Sequence, residues 1–162
     1  MPSLSLFSFP SPSTTGPNFS TSLGYGDDIL SAVLPEGGKK TILEGYSSTG
    51  FDANDVHILG SVVALGEVIY GINLDASKDE IEIPAELLKV LSHLSPPLDL
   101  LFFGSHFPLG KEVRNEVTEW GRKEGIRVEF GGVGNVMATF NILNGEERRV
   151  GAVLVNNSQQ GQ

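Results

Sequence analysis

The chain has 162 residues, enough for one domain with a sizeable core and short for two. Its 40% hydrophobic content fits a globular fold, and no apolar run is long enough to cross a bilayer as a helix. Eleven basic residues against twenty acidic ones give a net charge of -9, and the lack of cysteine excludes disulfides, thiolate nucleophiles and Cys-ligated metals.

Residues 1–26 contain no charged side chain and are dominated by Ser, Pro, Thr and Gly. Such a segment buries too little apolar surface to offset its ordering entropy, so residues 1–40 are expected to form a flexible arm, with Phe7, Phe9 and Phe19 available to dock on a surface. The arm is Ser-rich and acid-poor like an import peptide. Its first basic residue is Lys39, however, so it lacks the Arg or Lys that import along a membrane potential requires. It reads as an arm or as a remnant of processing. No basic stretch precedes an apolar core, which argues against a secretory signal.

From Thr41 the chain turns rich in β-branched and aromatic residues. Asn54-Asp55 predicts a turn between a strand at 50–53 and one covering 56–64, and Leu65-Gly66-Glu67 a second turn into a strand at 68–72. This half reads as a β-meander. Residues 83–94 predict a helix with Pro84 near its first turn and Leu87, Leu88, Leu91 and Leu94 as its apolar stripe, stopped by Ser95-Pro96-Pro97. The continuous apolar run 98–104 predicts a buried strand. Val113, Val117 and Trp120 mark the inward stripe of a helix over 110–124, ended by Gly125. A strand at 126–130, a helix over 133–143 with Val136, Phe140 and Leu143 on one side, and a strand at 148–155 complete the series. Right-handed crossovers make these last strands parallel. The fold expected is α/β (α+β): a β-meander first half and a β-α-β-α-β second half with a mixed sheet, in one domain at 41–156 with a disordered tail at 157–162.

Residues 100–113, LLFFGSHFPLGKEV, have nearly the layout of a phosphate loop: a strand, a glycine turn and a Lys at a helix start. Five residues separate Gly104 from Gly110 where that loop has four, and Glu112 stands where a hydroxyl would hold magnesium. A carboxylate there complements the helix dipole and repels an anion. Ser105-His106 lacks the Gly-x-Ser-x-Gly setting of a nucleophile elbow, and chain neighbours rarely aim at each other as nucleophile and base. Gly131, Gly132 and Gly134 stand between a strand and a helix, but Met137 occupies the third glycine position of a dinucleotide fingerprint, and no acidic residue follows at the required distance. His57, His93 and His106 fall on three separate elements without ligand spacing, and Asp79, Glu80 and Glu82 read as a solvated acidic edge. The helix at 110–124 alternates Lys111, Arg114, Arg122 and Lys123 with Glu112, Glu116, Glu119 and Glu124. That is a solvated face offering nothing to a phosphate backbone, so nucleic acid is not an expected partner. No catalytic residue, cofactor or metal is assigned.

The segments GFDANDVHILGSVVAL, PPLDLLFFGS, RKEGIRVEF and ATFNILNGEERRVGAVLV, in this order and spacing and with Phe140-Asn141-Ile142-Leu143 in the last helix, resemble a family of small domains. It includes the NADH dehydrogenase (ubiquinone) alpha-subcomplex assembly factor 3, its bacterial relatives and an adipogenesis-associated branch. The resemblance runs from Thr41 to Val155. It implies two β layers with a helical layer, and a non-catalytic, chaperone-like role in building respiratory complex I. The implied partners are other assembly factors and early complex I subunits, on the matrix side of the mitochondrial inner membrane and with peripheral membrane association at most. The chain departs from the family pattern at Gly104-Ser105-His106, at Tyr70-Gly71 where many members carry Trp, and at Gly131-Gly132-Val133-Gly134. Ser105, His106 and Asn141 are therefore the expected partner contacts, although Asn141 serves equally to satisfy buried backbone groups. Two other readings stay open: a small-ligand or nucleotide-binding domain using the space between Ser105-His106 and Gly131–Gly134, and a cytosolic or nuclear regulatory member of the same family.

Overall fold

The computed structural model describes residues 20–22, 30–33, 39–74 and 81–157. The rest of the arm expected at 1–40, with Phe7, Phe9 and Phe19, lies outside the described residues, as do Asp79, Glu80 and 158–162. Two short strands fall within that arm, β1 (Ser20–Ser22) and β2 (Leu30–Val33).

The strands β3 (Leu43–Tyr46), β4 (Gly50–Ala53) and β5 (Val56–Leu59) form an antiparallel sheet of their own. Asn54 and Asp55 join β4 to β5 with φ of 48° and 67°, the paired left-handed conformations of a two-residue hairpin, which Asn and Asp tolerate best after glycine. The single strand expected at 56–64 is two. Gly60, at φ 84°, breaks it, and β6 (Ser61–Ala64) leaves the small sheet for a larger one. The burial pattern shows why the sequence conceals this break: β5 alternates between core and solvent, whereas β6 is buried on both faces. Joined end to end, the two patterns read as one apolar run.

The larger sheet has seven strands in the order β1-β2-β7-β6-β10-β8-β9, where β7 is Ile69–Ile72, β8 Leu100–Ser105, β9 Arg127–Gly132 and β10 Val150–Val155. β8 lies parallel to both β9 and β10, and β10 meets β6 antiparallel, so the sheet is mixed as expected. Among the described residues three helices complete the domain: α1 (Ala85–Ser92), α2 (Lys111–Glu124) and α3 (Val133–Gly145). Gly125 in the left-handed conformation ends α2.

The strand order dictates where the helices go. The chain steps from β8 to β9 through α2, then back across β8 to β10 through α3. Two right-handed crossovers in opposite directions put their helices on opposite faces. One core accordingly joins α1 and α2 to the sheet through Leu87, Leu91, Val113 and Val117 against Leu101, Phe103 and Val153. The other joins α3 and the small sheet through Val136, Phe140 and Phe51 against Val62, Phe102 and Leu154. The result is three layers: α1 with α2, the seven-stranded sheet, and the small sheet with α3 beside it. Gly104, expected to turn the strand at its exit, instead lies inside β8 under α3. A Cβ there would stand 2.9 Å from Leu154 Cδ2 and 3.0 Å from Val136 Cβ, so the missing side chain sets how closely helix and sheet approach.

Candidate functional site

Because α2 and α3 leave adjacent strands toward opposite faces, the carboxyl ends of β8 and β9 form a topological switch point, where open α/β sheets place ligands. In register there, Ser105 lies between Val155 of β10 and Gly132 of β9. β9 passes into α3 without an intervening loop: Gly131 and Gly132 are strand residues and Gly134 is already helical. Ser105 is only 7% exposed, so the strand end, expected to be open, is closed at this residue.

The loop after β8 is held by Asn157, itself 2% exposed. Its Oδ1 accepts the backbone N–H groups of His106 (2.9 Å) and Phe107 (3.1 Å), and its Nδ2 donates to Phe107 O (2.9 Å). These are the N–H groups that a phosphate loop would turn toward an anion. Here they are already satisfied. Asn157 was expected to open the disordered tail, and nothing in the sequence beyond its place after an apolar strand marks it as a clamp.

The His106 ring lies against two aromatic rings from the small sheet, stacked on Phe51 (centroids 6.2 Å apart, planes 12° apart) and tilted against Tyr46 (5.4 Å, 58°). Its Nε2 is buried and has no hydrogen-bond partner among the described residues. Desolvation holds its pKa below the ordinary histidine value, because the protonated ring would lose hydration without gaining a partner. Among the described residues no hydrogen bond joins Ser105 to His106. The two neighbours do not form a nucleophile–base pair.

Asn141 is elsewhere, eight residues into α3 and about 12 Å along its axis from the switch point. Its side chain accepts the Leu43 N–H (2.9 Å) and donates to the Leu43 carbonyl (2.8 Å), filling the place of a neighbouring strand along the outer edge of β3. Asn144, just past the helix expected at 133–143, continues the same seam. It is 4% exposed, and its Nδ2 donates to the carbonyls of Thr41 (3.3 Å) and Gly66 (3.1 Å). The structure therefore brings Ser105 and His106 together and leaves Asn141 apart from them.

Two other features were not foreseen from the sequence. On the outer side of the small sheet, His57 stands between Asp52 (Nδ1 to Oδ1, 2.6 Å) and Thr49 (Nε2 to Oγ1, 3.1 Å). The order matches a hydroxyl–imidazole–carboxylate relay, but the His57 and Asp52 side chains are 40% and 47% exposed, as befits a cross-strand surface pair. A cleft of about 610 Å³ lies between the starts of α1 and α2, lined by Glu82, Glu86, Glu112 and Glu116 with Ile83 and Val113. Its lining includes neither Ser105 nor His106. Tyr70, where many family members were expected to carry Trp, is 1% exposed in β7, and burial pushes its hydroxyl pKa well above the usual value. Among the described residues, no three metal-ligating side chains converge and no helix is long and apolar enough to cross a membrane.

Residues 43–155 match the family described as a protein of unknown function, DUF498/DUF598. The chain is 30% identical to the Danio rerio NADH dehydrogenase [ubiquinone] 1 alpha subcomplex assembly factor 3, across 81% of this chain and 73% of that protein. The chain belongs to this family. Other members bearing the assembly-factor name are 31% identical in Xenopus tropicalis (70% of this chain, 60% of that protein) and 27% identical in Homo sapiens (81% and 69%). Two solved bacterial structures share this fold. An outer membrane protein from Bartonella henselae superposes with a TM-score of 0.58 at 23% identity, over 73% of this chain and 96% of that one. A Rhodopseudomonas palustris protein gives 0.57 at 21% identity, over 75% and 85%. The family match begins at Leu43 and ends at Val155, so it takes in the Asn141–Leu43 seam and the whole parallel trio of strands.

Proposed function

We propose that this chain is a non-catalytic assembly factor for respiratory complex I, a chaperone-like scaffold working on the matrix side of the mitochondrial inner membrane beside other assembly factors and early complex I subunits. The observation that carries this reading is the 30% identity to an assembly factor across 81% of the chain. The switch point supports it: its loop N–H groups are engaged by Asn157, and Ser105 and His106 lack the geometry of a catalytic pair. A nucleotide-binding reading loses its donors for the same reason. Contact with a partner falls at His106, with the exposed Tyr46 and Phe107 beside it, while Ser105 and Asn141 hold the strand end and β3 in place.

Deleting the gene and resolving the respiratory complexes on native gels tests the proposal. Loss of assembled complex I, restored by the wild-type chain, is the expected result. Normal complex I in the deletion strain would overturn it.

A further inference from the structure

β9 is an edge strand: among the described residues it pairs with β8 alone. Its parallel register runs unbroken from Leu100↔Arg127 to Ser105↔Gly132. The Arg127 N–H bonds the Asp99 carbonyl at 3.0 Å, which fixes the phase of the ladder. Successive strand residues direct their N–H and C=O groups to opposite sides. Those of Arg127, Glu129 and Gly131 therefore point to β8, while those of Val128 and Phe130, with the Gly132 N–H, point outward. Among the described residues no backbone partner takes these outward groups. Natural edge strands are blunted by proline, lysine, a bulge or a covering element. β9 contains neither proline, lysine nor a bulge, and α2 and α3, packed on opposite faces of the sheet, leave all its residues at least partly exposed. The outer edge of β3, by contrast, is filled by the Asn141 side chain.

The side chains of β9 alternate as well. Val128 and Phe130 turn to the α2 face, where Phe130 stacks on Phe103 (centroids 5.6 Å apart, planes 30° apart). With Trp120 they remain only partly buried at the rim of that core. Arg127 and Glu129 turn to the other face and pair with each other at 2.8 Å, so β9 itself offers no unpaired charge.

We infer that this edge receives an extended segment of another protein as an added antiparallel strand. The segment sets apolar side chains opposite Val128 and Phe130, next to Trp120, and carries no acidic residue. Backbone geometry selects the shape of the occupant, since an extended chain presents N–H and C=O groups at the spacing the edge requires, and antiparallel pairing makes the more stable ladder. The half-buried Val128, Phe130 and Trp120 select apolar character at every second position. Charge selects against an acidic segment and against a second copy, because each chain carries -9 and two would repel. The inference is independent of the complex I reading, since nothing in it depends on which protein supplies the strand.

A capped peptide alternating Val with Thr and Lys, titrated into the full chain to about 1 mM and followed by amide NMR, tests this in the range of weak peptide affinities. The free chain should exchange its Val128 and Phe130 amides fast and its Glu129 and Gly131 amides slowly. The peptide should shift the β9 resonances and slow exchange at 128 and 130 by at least about fivefold. N-methylation of the peptide separates backbone pairing from side-chain contact. At the Val positions, whose N–H groups face β9, it should weaken binding by at least about tenfold; at the Thr and Lys positions it should change binding by less than about threefold. Gly132→Pro removes an edge N–H without disturbing the fold, because Gly132 has a φ of -72°, close to the value proline imposes, and a Cβ there meets nothing within 4 Å. This variant should keep the wild-type far-UV spectrum and bind the peptide at least about fivefold more weakly. Silent β9 amides at the highest concentration overturn the inference, as does undiminished binding to Gly132→Pro or equal tolerance of the two methylation patterns. Binding centred on the glutamates of the α1–α2 cleft overturns it as well. So do β9 shifts that grow with protein concentration alone, which would assign the edge to a second copy.

Discussion

The Asn141 side chain occupies both backbone hydrogen-bonding positions of Leu43, one bond at 2.9 Å and the other at 2.8 Å, and so stands in for a fourth strand of the small sheet. A residue expected to touch a partner thereby ties the helical and β components of one layer together. Asn141→Ala leaves a part-buried N–H and C=O unpaired and should cost about 2–3 kcal/mol, read as a lower urea midpoint at unchanged slope. Asn141→Asp keeps the acceptor but sets a carboxylate against the Leu43 carbonyl, so it should not rescue stability. If Asn141→Ala were neutral, Asn141 would not be what seals the β3 edge.

Gly104 should be intolerant of even one methyl group. Its added Cβ would meet Leu154 at 2.9 Å and Val136 at 3.0 Å, both in the packed core between α3 and the sheet. Gly104→Ala should destabilise by about 1–3 kcal/mol. Coupling to Val136→Ala, which opens space at the same contact, should recover part of that loss. Strictly additive effects in the double variant would place the clash elsewhere.

Asn157 closes the domain from its last described residue. Removing its side chain by Asn157→Ala frees the N–H groups of His106 and Phe107 together. Hydrogen exchange at those two amides should accelerate by about tenfold, while the β8 amides stay protected. Uniform acceleration through the sheet would instead mean that Asn157 supports global stability.

The α2 stripe of Val113 and Val117 and the Asn54-Asp55 turn were legible in the sequence because periodicity and left-handed tolerance are local properties. The opposite placement of α2 and α3 was not, since it depends on the lateral order β10-β8-β9, which no local pattern encodes. Gly60 was hidden because half-buried and fully buried strands, set end to end, look like one. Gly104 was read for its backbone freedom when its function is close approach. At the candidate site, Ser105 does end β8, but the strand end read as exposed is closed there, with Ser105 7% exposed. The backbone at His106 and Phe107 is held by Asn157, fifty-one residues from His106 and inconspicuous until the sheet brings it there.

His106 should give the protein a specific pH dependence. Burial against Tyr46 and Phe51 holds its folded-state pKa below the ordinary 6.5. Above that ordinary value both folded and unfolded states are neutral at this ring, and it costs nothing. As pH falls through 6.5 the unfolded chain takes up a proton that the folded chain does not, so stability declines until the folded-state pKa is reached. Wild-type protein should therefore lose more stability than His106→Phe on going from about pH 7.5 to about pH 5.5, since phenylalanine keeps the stacking and removes the titration. The difference between the two proteins cancels the carboxylates they share. In NMR titration the His106 ring should show its midpoint below 6.5. A midpoint at or above that value would mean that its Nε2 finds a partner in solution.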